Sequence, residues 1–250
     1  MIPNVIHQIW IQGRDKIPDE LQEHYRSCRK INNNFRHILW DETKILDFLN
    51  KKYGSKFVEL YHFYKVPAQK ADFARYAILY IYGGIYLDMD MICKKNLTGF
   101  LSNDFFCTDY ILLPDLFRRY LNGIIGSKPK HLVFLFIFDN LFQRKLQADD
   151  VTYSTGTNLF YDSIQEYLDS TGNNDITIID KKYLHPCNMY DDENCHKTCL
   201  DCYIVHTNYS SWNPQIRLLK TIRKHIKIII PIVIIIIILL YFILKKYRRL

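Results

Sequence analysis

Acidic residues are missing from one end of this chain. Residues 215–250 contain nine Lys/Arg and no Asp or Glu, so the net charge of +7 over 250 residues is a local property. Removing the +9 of that tail leaves −2 on residues 1–214. A body this close to neutral lacks the basic face that a nucleic-acid partner needs, and no such partner is expected. Internal repeats are lacking too, and the one low-complexity stretch is an isoleucine run near the C-terminus. This argues against a solenoid or a disordered chain. The N-terminus starts directly on strand-like MIPNVIHQIW, with no charged segment leading into an apolar one. No secretory leader is therefore expected.

Charge is also absent from 228-IIIPIVIIIIILLYFIL-244, seventeen residues bracketed by Lys220, Arg223, Lys224 and Lys227 before and Lys245, Lys246, Arg248 and Arg249 after. At about 1.5 Å per residue the run reaches roughly 25 Å, the short limit for crossing a bilayer. Flanking lysines can snorkel to extend it, and it has no polar face to show water. The pattern predicts one C-terminal transmembrane helix, giving 1–219 as a single catalytic-size domain and 220–250 as a basic-flanked membrane anchor. Both flanks are basic, so the positive-inside rule sets no orientation. Without a leader, the expected arrangement is a single-pass tail anchor with the folded body in the cytosol rather than a lumen.

Four of the seven cysteines cluster as Cys187, Cys195, Cys199 and Cys202, near His185 and His196. The spacing C-x7-C-x3-C-x2-C matches no standard zinc module. Zinc ligands, disulfides and unpaired thiols all stay open.

What is present is a globular composition, 48% hydrophobic and 15% aromatic, suited to a large mixed core and to rings lining a polar-ligand cleft. Residues 4–11 read as a first strand, Pro18 opens a helix to about Asn32, and 35-FRHILWD-41 reads as a strand followed by a helix. Pro67 starts a helix through 71-ADFARYAILYIY-82, which Gly83 and Gly84 stop. A strand 85-IYLDMD-90 follows, then strand and turn at 120–127, helices at 131–146 and 157–170, and short strands at 176–180 and 203–207. Strands alternating with helices imply an α/β fold with a mostly parallel central sheet.

Within 81-IYGGIYLDMDMI-92, Asp88 and Asp90 lie at the end of an apolar run. At i and i+2 of an extended segment, both carboxylates face one side and can share a ligand. Strand ends are where α/β folds place their sites. Paired carboxylates suit Mn²⁺ or Mg²⁺ bound to phosphate oxygens. An acidic surface turn is the plain alternative, though Ile85, Leu87, Met89 and Met91 make uncompensated charge costly there. An aspartyl nucleophile of the haloacid-dehalogenase phosphatase type is another. That chemistry calls for a later G-D-x-x-x-D, which the sequence lacks.

The string A-D-x-x-R-Y-x-x-L-Y-x-x-G-G-I-Y-x-D-x-D, from Ala71 to Asp90, resembles the sugar-nucleotide-binding region of glycosyltransferase family 32. That family includes fungal and sphingolipid mannosyltransferases, with clostridial glucosylating toxins more distant. In the same order, 7-HQIW-10 resembles the family's H-x-x-W, 122-NGIIGSKPKH-131 its N-x-x-I-x-x-x-x-x-H, and 206-HTNYSSW-212 its closing H-x-x-x-x-S-W. The resemblance spans nearly all of 1–214. One departure is 155-TGT-157, where relatives have T-G-P.

The resemblance implies a nucleotide-diphospho-sugar transferase fold of GT-A type. It implies a metal-dependent, configuration-retaining transfer of a hexose from a UDP- or GDP-sugar to a glycan, lipid or protein acceptor. Trp10 would stack on the base, or else pack as a core residue. Asp72 and Arg75, three apart on one helical face, would clamp sugar hydroxyls or form a structural ion pair. Tyr86 would touch the donor, Asp90 the metal, and Asp88 the metal or the ribose. His206 would be a further metal ligand, and Ser211 and Trp212 would close over the diphosphate. No nucleophile is assigned. A tail-anchored binding protein that kept the fold and lost activity is the non-catalytic alternative.

Overall fold

The computed structural model describes residues 1–111, 118–187, 195–207 and 209, with isolated positions at 218, 225, 230, 231 and 236. Two compact units result, Met1–Asn208 and Tyr209–Leu250. Most of the predicted span 228–244 lies outside the described residues. Among those described, no helix is long and apolar enough to cross a membrane.

The first unit begins with β1 (Val5–Ile9), α1 (Asp19–Ile31), β2 (Arg36–Trp40) and α2 (Glu42–Tyr53). Asp41 caps α2 by accepting the Lys44 amide at 2.9 Å. Next come α3 (Ser55–Phe63), α4 (Pro67–Tyr82), β3 (Gly84–Leu87) and β4 (Met91–Cys93). The chain continues through β5 (Phe105–Ile111), β6 (Arg118–Ser127), α5 (Val133–Gln143), α6 (Val151–Ser154) and α7 (Thr157–Thr171). It closes with β7 (Ile176–Ile179), α8 (Lys181–Leu184), α9 (Cys195–Thr198) and β8 (Ile204–His206).

Six strands form one sheet in the order β2-β1-β3-β6-β5-β7. Parallel pairings join β1 to β2, β1 to β3 and β5 to β7, while β6 is antiparallel to both its neighbours. Five strands therefore run one way and one runs against them. The predicted mostly parallel sheet is present, but as a mixed one. A short connection from β5 to β6 allows only antiparallel neighbours, because a parallel return needs a crossover of a dozen or more residues. Strand β5 was not expected from the sequence.

Apolar layers cover both faces of the sheet. One joins Ile45, Phe48, Phe73, Ile78, Phe134 and Phe160 from the helices after β2; the other joins Cys28, Phe35, Leu97 and Leu184. Helix α4 is enclosed along its middle, with every residue from Asp72 to Leu79 buried. It starts as predicted with Pro67 in its first turn. It stops at Gly83 (φ 62°) and Gly84 (φ 95°), both in the left-handed region. A Cβ on Gly83 would lie 2.7 Å from the Ser127 carbonyl oxygen, and one on Gly84 2.7 Å from that of Val5. This close approach lets β3 start straight out of the helix and slot between β1 and β6.

Six cysteines pair as Cys28–Cys93, Cys187–Cys195 and Cys199–Cys202. The clustered cysteines are therefore disulfide-bonded rather than zinc ligands or unpaired thiols.

Candidate active site

Helix α4 buries a charged pair in its apolar surface. Asp72 is 6% exposed and Arg75 4%, and buried charges persist only where partners replace water. Arg75 has several. Its Nη2 lies 2.9 Å from Asp72 Oδ1 and 3.2 Å from Asp88 Oδ1. Its Nη1 donates to the Asn122 carbonyl at 2.6 Å, and its guanidinium sits 4.4 Å from the Tyr86 ring centre. Asp72 also accepts from Asn122 Nδ2 at 2.9 Å and from the Thr155 hydroxyl at 3.0 Å. Burial pushes the Asp72 carboxyl up to about 7, against the opposing pull of Arg75. Arg75 thus spends its guanidinium inside the protein and ties α4 to β3 and β6.

Strand β3 delivers the next groups. It ends at Leu87 rather than at the predicted Asp90, and Met89 and Asp90 form a turn into β4. The two acids therefore share a side because the chain turns, not because of strand pleat. Asp88 still follows the sheet: its amide donates to the Gly123 carbonyl at 2.9 Å. A Cβ on Gly123 would lie 2.6 Å from Asp88 Oδ2, so glycine there leaves room for the carboxylate. The Tyr86 hydroxyl donates to Asp88 Oδ1 at 2.7 Å. Burial raises the Asp88 carboxyl and Arg75 opposes it.

Asp90 meets a partner from far along the chain. Strands β4 and β8 form a separate two-stranded antiparallel ribbon with Met91 opposite His206. The Asp90 carbonyl accepts the Thr207 amide at 2.9 Å. This places His206 Nε2 2.9 Å from Asp90 Oδ1. One potential ligand atom from each of Asp88, Asp90 and His206 lies within 4.8 Å of the others. Their side chains keep 27%, 15% and 18% exposure, so the cluster opens outward. Two carboxylates with an imidazole fit Mn²⁺ or Mg²⁺.

Trp10 directly follows β1, at the same carboxyl edge of the sheet as Asp88. Its indole is partly exposed, but Nε1 is buried without a hydrogen-bond partner among the described residues, as is Gln8 Oε1. Six of the sequence-predicted residues (Asp72, Arg75, Tyr86, Asp88, Asp90 and His206) come together, with Trp10 on the same edge. Ser211 and Trp212 lie outside the described residues. Sequence reasoning missed Asn122, Gly123, Thr155 and His185 as parts of this site. Asn122 and Thr155 did stand in the two motifs noted at 122–131 and 155–157, and only folding brought them to Asp72. His185 is 2% exposed, and its Nε2 lies 3.2 Å from His206 Nδ1. Burial, aided by His206, lowers His185 to about 3.

Comparison with known proteins identifies the family. Residues 18–107 match the family described as "glycosyltransferase sugar-binding region containing DXD motif". An uncharacterised glycosyltransferase of Acanthamoeba polyphaga mimivirus is 58% identical over 220 residues, covering 88% of this chain and 87% of that protein. Inositol phosphoceramide mannosyltransferase 1 of Schizosaccharomyces pombe is 40% identical over 133 residues, 52% of this chain and 40% of the yeast protein. Among solved structures, the UDP-bound glycosyltransferase domain of the YGT toxin superposes with a TM-score of 0.53 at 9% identity, over 71% of this chain and 79% of that domain. That likeness shows a shared fold. The chain belongs to the DXD-containing glycosyltransferase family, and it is a glycosyltransferase.

Proposed function

We propose that this protein is a divalent-metal-dependent, retaining transferase that moves a hexose from a nucleotide-diphosphate sugar to a membrane-linked acceptor. The observation that carries this reading is the convergence of Asp88, Asp90 and His206 beside Arg75 at the carboxyl edge of the sheet. A cation held by those three side chains would neutralise charge on the departing diphosphate, the effect expected to dominate such a transfer. The remaining work falls to the chain itself. Arg75 and Tyr86 both reach Oδ1 of Asp88 and hold its carboxylate in one orientation. Trp10 offers a ring face to a base, and its indole N–H, without a partner among the described residues, offers a hydrogen bond. Ser211 and Trp212, which lie outside the described residues, keep in this reading the diphosphate role that the family resemblance implies.

The name of the fission-yeast relative points to mannose as the sugar and inositol phosphoceramide as the acceptor. In this reading residues 1–219 are the catalytic domain and 228–244 an anchor that holds the cleft near a bilayer. Three cysteine pairs favour an oxidising compartment for the body over the cytosol expected from the sequence. Thermal-shift titration with Mn²⁺ and GDP-mannose, UDP-glucose or UDP-galactose, followed by transfer to inositol phosphoceramide, tests the whole proposal. A GDP-mannose shift that needs Mn²⁺ and vanishes in Asp90→Ala, with the fold retained, is the expected result. Transfer only to soluble protein or free sugar would overturn the lipid acceptor.

A further inference from the structure

The wall behind the metal cluster holds a second histidine. His185 follows α8, whose position is pinned by the Tyr203 amide donating to the Tyr183 carbonyl at 2.7 Å. The Tyr110 ring meets the His185 ring edge-on at 5.9 Å, and the His206 ring lies 5.3 Å away. Cys187–Cys195 and Cys199–Cys202 brace the segment between the two histidines. His185 is thus held with Nε2 aimed at His206 Nδ1.

The direction of that hydrogen bond is constrained by Asp90. A carboxylate accepts, so His206 Nε2 facing Asp90 Oδ1 carries a proton, and in the singly protonated ring Nδ1 accepts from His185 Nε2–H. Ligation through His206 Nε2 requires the opposite tautomer, with the proton on Nδ1 and an acceptor to receive it. His185 becomes that acceptor if its own proton sits on Nδ1. His185 Nδ1 is buried without a partner among the described residues, so this tautomer breaks no bond there.

We propose that His185 is a positioning residue for the metal centre, because its reversible hydrogen bond to His206 frees Nε2 of that ring to ligate. The inference rests on the metal reading given above. Neither glutamine nor leucine can titrate here, but only glutamine can donate or accept.

Mn²⁺ binding to the full-length protein, followed by isothermal titration without sugar nucleotide, tests the idea apart from catalysis. His185→Leu is expected to weaken Mn²⁺ binding roughly 10- to 100-fold, the usual cost of losing a partner behind a ligand. His185→Gln should recover most of that loss. Nitrogen-15 shifts of His206 in the wild type should move from Nε2-protonated to Nδ1-protonated as Mg²⁺ is added, a readout that needs no variant to fold. Equal Mn²⁺ affinity in wild type and His185→Leu, or an unchanged His206 tautomer with Mg²⁺ bound, overturns the role of His185 alone. Wild-type Mn²⁺ affinity that Asp90→Ala leaves untouched overturns the metal centre and this role with it.

Discussion

The two acids of the D-x-D stand two residues apart, yet they belong to two differently built corners. Asp88 sits on the main sheet, tied to Arg75, Tyr86 and Gly123 and backed by the buried Asp72. Asp90 sits in a turn that enters a separate ribbon, opposite an imidazole from the other end of the domain. In the first corner, positive charge is supplied by the protein itself. In the second, the carboxylate meets an imidazole and, together with Asp88, offers ligand atoms to a cation. The difference separates holding from binding: the Asp88 corner fixes the frame, and the Asp90 corner completes the ligand set.

Breaking the frame should cost most. Arg75→Ala leaves the buried Asp72 and the half-buried Asp88 without their cation, a loss expected to cost about 3–5 kcal/mol in chemical denaturation. Burial already raises Asp72 to about 7 with Arg75 present. Without it, the folded carboxyls would keep protons that the unfolded chain releases. The wild-type Asp72 gives up its proton near 7, so the deficit should widen as pH rises through about 7, where only the variant's folded carboxyl still holds that proton. A pH-independent loss would show that Arg75 acts only through packing.

Asp90→Ala should do the reverse. Its side chain meets the His206 imidazole rather than a buried guanidinium, so the melting temperature should stay closer to wild type than in Arg75→Ala. Transfer should fall roughly 10²- to 10³-fold, the scale for removing one element of charge stabilisation. A melting temperature that drops as far as in Arg75→Ala would erase the distinction between the corners.

His7 gives a smaller, pH-gated effect on the frame. It accepts from Trp40 Nε1 at 3.1 Å, and its Nε2 lies 3.0 Å from the Gly83 carbonyl, at the point where α4 turns into β3. Burial lowers it from 6.5 to about 4, with the Gly83 contact opposing. Between those values the unfolded chain binds the extra proton. Stability should therefore fall as pH drops from 6.5 to about 4, with a His7 share of about 3 kcal/mol. Denaturation midpoints across that range should form a shallower curve in His7→Gln.

Thr155→Val should have the least effect. It removes one donor to buried Asp72 and should cost about 1–2 kcal/mol. A larger loss of transfer than of stability would place Thr155 with the reacting groups rather than the frame.

Much of the frame was legible because local chemistry sets it. Pro67 and Gly83–Gly84 delimit α4 from both ends, since one fixes φ and the others supply φ values that side chains resist. The period of apolar residues gave α1, α5 and α7 within a few residues. The pairing of Asp72 with Arg75 followed from their spacing of three on a helix. Strand β5 was hidden because FFCTDYI carries no clean alternation. The end of β3 was misjudged because turn residues Met89 and Asp90 continue an alternating pattern that the backbone abandons.

By itself, then, the sequence determined the helix and strand carriers, the D-x-D and the family. Only the tertiary structure decided which groups meet. Asn122 and Thr155 reach Asp72, His206 reaches Asp90 across 116 residues, and His185 backs His206. The physical reason is range. Propensity and periodicity act over a few residues, whereas a buried charge must find its partners wherever the sheet order and the β4–β8 ribbon bring them.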